Sequence, residues 1–253
     1  MEMIDRRRHY ILCIDTEATN CIQEGWSISK NALPYDIGFA VMDTHGIIYD
    51  KYSYVNSDVF YGMPELMESA YYARKLPRYH EEIACGLRTV ANTWEIRKKM
   101  IEVCEVYGIK EVVAHNASFD YDTLNNIVRY LTGSKVRYWF PFGMVEWWDS
   151  KRMAQSVICK MPTYKAHCIE ELGLSRASAS AENLYRWIIK DPDFREAHTG
   201  LEDVLIESQI VAYCYRQHKA MKKRLFDTDF PEATDFQIAL IRSIKDCPTI
   251  LVG

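Results

Sequence analysis

The sequence predicts an α/β protein whose mixed sheet begins with an antiparallel portion and is flanked by helices. Three observations carry that expectation. The run YILCID at 10–15 is almost entirely apolar, the pattern of a central strand covered on both faces. Strand patterns at 37–42 and 47–54 are joined by the short polar stretch Asp43-Thr44-His45-Gly46, which reads as a hairpin turn. Beyond them, strand and helix patterns alternate, the order expected of an α/β sheet.

The remaining elements follow in order. Helical patterning is expected at 64–74 and at 94–107. EVVAHN, 111–116, reads as a short buried strand feeding a helix over 120–130. Another strand is expected at 144–148, with a helix opening near Ser150. Short helices fill 164–190, Asp191-Pro192-Asp193 breaks the chain, and a long helix follows over 200–221. No internal repeat or low-complexity tract interrupts residues 1–222, which are expected to form one domain. Residues 223–253 are then a C-terminal extension, either a tail or an extra helix.

Composition narrows the function. A chain of 253 residues, 48% hydrophobic and 26% charged, can bury a substantial core. It has no apolar run long enough for a membrane span, and its opening is too short for a signal peptide. Eight cysteines without a CxxC spacing suggest reduced, packed thiols in the cytoplasm, with a zinc site as the alternative. The net charge of −4 argues against broad coating of duplex nucleic acid and favours a local grip. Basic clusters at Arg6-Arg7-Arg8, at Arg74-Lys75 with Arg78, and in KAMKKR (219–224) read first as solvated surface.

Three stretches gather acids at predicted strand or helix ends. In ILCIDTEATN, Asp15 and Glu17 project to the same side of the first strand, at the crevice where α/β sheets hold ligands. Two carboxylates so placed repel unless a cation compensates, and hard oxygen donors suit Mg²⁺ or Mn²⁺; a pair of surface charges is the alternative. In VVAHNASFDYDTL, Asp120 falls at a strand-to-helix junction, where a cap or first-turn acid is the structural alternative, and Asp122 could fill that role equally. His115 reads as a hydrogen-bonded structural residue. In AHTGLEDVLIES, Thr199 and Glu202 fit a capping box, which sets His198 before the cap and Asp203 as fourth helical residue. Those two positions ordinarily hold a touching apolar pair, so an imidazole is expected beside a carboxylate.

DTE at 15–17, HNASFD at 115–120 and HTGLED at 198–203 resemble, in order, the three motifs of the DEDDh 3′–5′ exonucleases. That family has a ribonuclease H-like fold and includes the proofreading subunit of bacterial replicative DNA polymerases. The similarity spans residues 8–220, with weaker echoes at Asp36-Ile37-Gly38, WWDSKRMAQ (147–155) and IEELGLS (169–175). It implies Asp15, Glu17, Asp120 and Asp203 as metal-binding carboxylates and His198 as general base. A sister subclass has tyrosine at the place of Thr199, so the histidine subclass fits better.

The implied activity is hydrolysis of the terminal phosphodiester with two divalent ions, Mg²⁺ or Mn²⁺, releasing nucleoside 5′-monophosphates. The implied partner is a nucleic-acid 3′ end, single-stranded DNA in preference to RNA, and a homodimer is the protein partner considered. Thr16 and Ala18, through their backbone, with Thr19, Asn116 and Phe119, are the substrate contacts the family suggests. Asn20 stands where the family often has glycine, and residues 56–93 read as packing helix or substrate-contacting insertion. Trimming of RNA ends or short oligoribonucleotides, and an inactive nucleic-acid-binding module, are the alternatives.

Overall fold

A six-stranded mixed sheet organises the chain in the computed structural model, which describes residues 4–20, 31–68, 70 and 73–226. The strands are β1 (Tyr10–Ala18), β2 (Pro34–Asp43), β3 (Ile48–Asn56), β4 (Thr89–Ala91), β5 (Glu111–Ala114) and β6 (Glu146–Asp149). Their spatial order is β4-β3-β2-β1-β5-β6. β1, β2 and β3 pair antiparallel, whereas β5 and β6 run parallel beside β1. The hairpin between β2 and β3 closes through the Gly46 amide donating to the Asp43 carbonyl, 3.0 Å.

The helices that matter for the site are α1 (Leu76–Ala84), α2 (Thr93–Tyr107), α3 (Ser118–Thr132), α4 (Ser150–Ser156), α5 (Ala181–Ile189) and α6 (Gly200–Arg216). Buried side chains form one cluster on each side of the sheet: Leu12, Ile14, Phe39 and Leu124 belong to one, Ile11, Cys13, Val204 and Ile210 to the other. β1 alternates between them, which is why its sequence is apolar at every position from 10 to 14.

Several boundaries differ from the sequence expectation. The helix expected over 64–74 is broken: Pro64–Glu68 forms one short helix and α1 starts at Leu76. Pro77 lies in the first turn of α1, where its missing N–H costs nothing and its fixed φ suits a helix start. The strand expected to reach Asn116 stops at Ala114, and Asn116 takes a left-handed backbone (φ 70°) that no strand accommodates. β6 begins at Glu146 rather than 144.

The long helix ends at Arg216 instead of 221, and the chain after it runs along the edge of β6. There the Asp149 amide donates to the Lys223 carbonyl, 2.7 Å, and the Leu225 amide to the Trp147 carbonyl, 2.8 Å. The rest of the expected C-terminal extension, 227–253, lies outside the described residues, as do Cys21 and Cys247. Among the described residues no helix is long and apolar enough to cross a membrane.

Candidate active site

β1 carries the first two acids farther than expected: the strand runs through Asp15 and Glu17 to Ala18, so both stand on ladder-held backbone. β5 pairs with β1 only at Leu12 and Cys13, so Thr16 lies beyond its reach. Asp120, in the first turn of α3, takes over there. Its Oδ1 accepts both the Thr16 amide and the Thr16 hydroxyl at 2.9 Å, and that hydroxyl also meets Thr123 Oγ1 at 3.0 Å. Asp120, expected as a metal-binding carboxylate with a helix cap as the structural alternative, thus ties α3 to β1 through one oxygen.

The fourth acid arrives on α6, whose position depends on two glycines. A Cβ on Gly38 would lie 2.1 Å from the backbone of Gly200 and Leu201, and one on Gly200 would lie 2.6 Å from the Gly38 nitrogen and 3.1 Å from the Asp15 carbonyl. Only bare backbone lets β2 and the start of α6 approach this closely. Asp36 fixes the approach by accepting the Gly200 amide at 2.9 Å. Ligand oxygens of Asp15, Glu17 and Asp203 consequently lie within 4.8 Å of one another.

The cap of α6 departs from a capping box. Thr199 has the extended backbone of a cap, but its hydroxyl bonds the Glu202 carboxylate and caps no amide. The Gly200 amide is already satisfied by Asp36, which removes the need. The polar pair around the cap does meet: His198 and Asp203 lie within 4.8 Å, together with Glu196, whose Oε2 is 3.8 Å from His198 Nδ1. His198 has a left-handed backbone (φ 51°), unusual for this residue type, and Lys75 Nζ holds its carbonyl at 2.8 Å and bonds that of Ala197.

Burial and mutual repulsion set the electrostatics. Asp15 is pushed well above the carboxylate range by burial, then by Glu207, Asp120, Asp203 and Glu17. Burial, with Asp203 and Asp36 nearby, raises Glu17 to about 9. Asp203 rises to about 8 by burial and Glu196, and Asp120 to about 7 by burial against its bonds to Thr16. Lys75 faces Glu17 and Asp203, yet four raised acids show that it does not balance them. His198 is shifted the other way: burial and Lys75 lower it, so the imidazole is neutral at pH 7.

The acids open into a cavity of about 870 Å³ whose walls include Asn116, Phe119, Lys151 and Arg176. Asn116 is exposed and accepts from Lys151 Nζ at 3.4 Å; Phe119 is half-buried. Of the other expected substrate contacts, Thr16 lines the cavity but its amide and hydroxyl are engaged by Asp120. Thr19 is buried, with its amide donated to the Leu33 carbonyl at 3.0 Å, and neither it nor Ala18 is among the cavity's lining residues.

Two groups at the site, Glu207 and Glu196, escaped the sequence reading, and a third, Lys75, read as solvated surface, is part-buried against the Ala197 and His198 carbonyls. Glu207 is buried one turn beyond Asp203 and accepts the His115 amide at 3.1 Å; its i+4 spacing from Asp203 was the available signal. Glu196 and Lys75 come from irregular or short segments, and no periodicity marks them. His115 is hydrogen-bonded as expected, Nδ1 to Ser150 Oγ at 2.8 Å and Nε2 to the Ala179 carbonyl at 2.7 Å. Burial lowers its pKa to about 4.

No protein-family model and no curated protein matches this sequence. Solved structures do. A full-length 3′-exonuclease superposes with a TM-score of 0.57 at 16% identity, over 87% of this chain and 88% of the other. A 3′-exonuclease described in 3′-end recognition of a histone mRNA stem-loop gives 0.50 at 15% identity, over 85% and 84%. The nuclease domain of a DEDDh family member bound to rAMP gives 0.50 at 16%, over 87% and 100%. The fold is therefore the ribonuclease H-like α/β fold of these 3′-exonucleases.

Proposed function

We propose that this protein is a divalent-metal-dependent 3′–5′ exonuclease, removing nucleoside 5′-monophosphates from nucleic-acid 3′ ends. One observation carries the reading: three carboxylates from two distant segments converge within 4.8 Å, and one of them, buried Asp203, keeps an Oδ1 with no hydrogen-bond partner among the described residues. A buried carboxylate oxygen left unpartnered in an acid cluster fits a cation. Asp15, Glu17, Asp120 and Asp203 would hold two such ions, Mg²⁺ or Mn²⁺. When bound, these supply charge neutralisation at the phosphate and a more acidic water.

The chain's own residues do the rest. His198, neutral at pH 7, accepts the proton released by the attacking water; its lowered pKa and the Lys75-held loop suit that role. The cavity volume is in the range of small-ligand sites, the scale of a terminal nucleotide or two. Half-buried Phe119 offers a ring for base stacking, and Asn116 a polar edge. Single-stranded DNA is the substrate we favour, in a cytoplasmic setting that suits reduced thiols. RNA is the second reading, supported by the stem-loop and rAMP described for two of the similar structures.

The test uses 5′-labelled DNA and RNA single strands of one sequence, with Mg²⁺, Mn²⁺ or EDTA. A ladder shortening from the 3′ end in metal and arrested by EDTA is expected, and the faster strand identifies the substrate. Cleavage that persists in EDTA, or products cut internally, would overturn the assignment.

A further inference from the structure

We propose that Glu196, His198 and Asp203 form a second kind of cation site, which takes a borderline transition-metal ion such as Zn²⁺ and thereby withdraws the His198 imidazole from proton transfer. The effect on turnover rests on the exonuclease reading; the binding does not.

One imidazole nitrogen and two carboxylate oxygens lie within 4.8 Å of one another. His198 Nδ1 and Glu196 Oε2 are 3.8 Å apart, too far for a hydrogen bond. A tetrahedral ion with donors at about 2.0–2.1 Å spaces neighbouring ligands roughly 3.4 Å apart, so small side-chain rotations suffice. The scaffold is held from two sides: the Glu196 amide donates to Glu182 Oε2 on α5 at 2.9 Å, and Lys75 bonds the carbonyls of Ala197 and His198.

A second, independent observation points to a ligand. Asp203 is 4% exposed and lines the cavity with Glu196 and His198, yet its Oδ1 is without a hydrogen-bond partner among the described residues. One carboxylate so placed serves two donor sets. With Asp15 and Glu17 it completes an all-oxygen group suited to Mg²⁺. With Glu196 and His198 it completes a nitrogen-and-oxygen group suited to Zn²⁺ with an open fourth position. Because Asp203 belongs to both, filling the second site perturbs the first. An imidazole whose lone pair is engaged by an ion cannot accept a proton, so Zn²⁺ should inhibit at saturating Mg²⁺.

The experiment titrates the full chain, in saturating Mg²⁺, with Co²⁺ as an optical probe and then with Zn²⁺ by calorimetry. One equivalent of Co²⁺ should give the visible absorption of a four-coordinate nitrogen–oxygen site, without a thiolate charge-transfer band, and Zn²⁺ should displace it. Glu196→Gln should lose that band and weaken Zn²⁺ by at least ~10-fold. Its Mg²⁺-induced thermal shift should persist, which also reports that it folds. The proposal is overturned if the parent chain shows no such band or if Glu196→Gln binds Zn²⁺ equally well. It is overturned too if that variant alters the pH profile in Mg²⁺ while keeping its Zn²⁺ affinity, since Glu196 would then only position His198. A chain that binds Zn²⁺ through Glu196 but cleaves nothing in Mg²⁺ would keep this site and remove the exonuclease reading.

Discussion

Glu17 on β1 and Asp36 on β2 are cross-strand partners, both buried, yet the molecule treats them in opposite ways. Asp36 accepts from Arg88 Nη1 at 2.9 and 3.0 Å, from the Tyr79 hydroxyl at 2.6 Å and from the Gly200 amide at 2.9 Å. Arg88 in turn bonds Glu82 and lies over the Tyr79 ring, 4.4 Å from its centroid. Glu17 belongs with Asp15 and Asp203 to a group in which carboxylates face carboxylates, with Lys75 the basic side chain that pulls on it. A buried acid with its full set of donors is structure; buried acids without one are poised for a cation.

The contrast breaks most sharply by mutation. Asp15→Asn should lower turnover by about 10³-fold or more, because a ligand to the catalytic ions is lost. The same change should stabilise the metal-free protein at alkaline pH by about 1–2 kcal/mol, a rise of about 2–8 °C in Tm, since it removes an acid that would have to ionise among other carboxylates. Assays in Mg²⁺ and melting in EDTA check the two halves. Arg88→Met should act in reverse: leaving Asp36 buried and unpaired costs about 3–5 kcal/mol, and Tm falls with or without metal. A variant that melts like the parent would contradict the structural role given to Asp36.

The pH dependence sharpens the comparison. Glu17, Asp203 and Asp120 are raised in the fold to about 9, 8 and 7, against about 4 in an unfolded chain. Acids raised by folding contribute stability that is fully present below the unfolded pKa and is lost as pH rises through the folded values. The Tm of the metal-free protein should therefore fall between pH 5 and 9, and saturating Mg²⁺ should flatten that slope. Melting curves in EDTA that rise over this range would contradict the raised acids.

The fold was legible where the sequence signal was local. The apolar run of β1, the polar turn at 43–46 and the strand-then-helix order each depend on neighbouring residues, and each is present. Boundaries failed where the local pattern carried no stop signal: the helix expected over 64–74 ends at Glu68, and the left-handed Asn116 ended a strand early. At the site, Asp15, Glu17 and Asp203 converge while Asp120 bonds Thr16, and the convergence depends on Gly38 against Gly200, a contact between residues 162 positions apart that no periodicity shows. Glu207 and Glu196 were missed, and Lys75 was read as solvated surface, for the same reason: their roles exist only after distant segments are brought together.

The central claim is that the unbalanced carboxylates on β1 and α6 form a cation site, and Mn²⁺ binding measured by calorimetry tests it most directly. The parent chain should bind Mn²⁺, and Asp203→Asn should bind it at least ~10-fold more weakly while remaining folded. Equal binding by the two proteins, or no binding by the parent, would contradict the account.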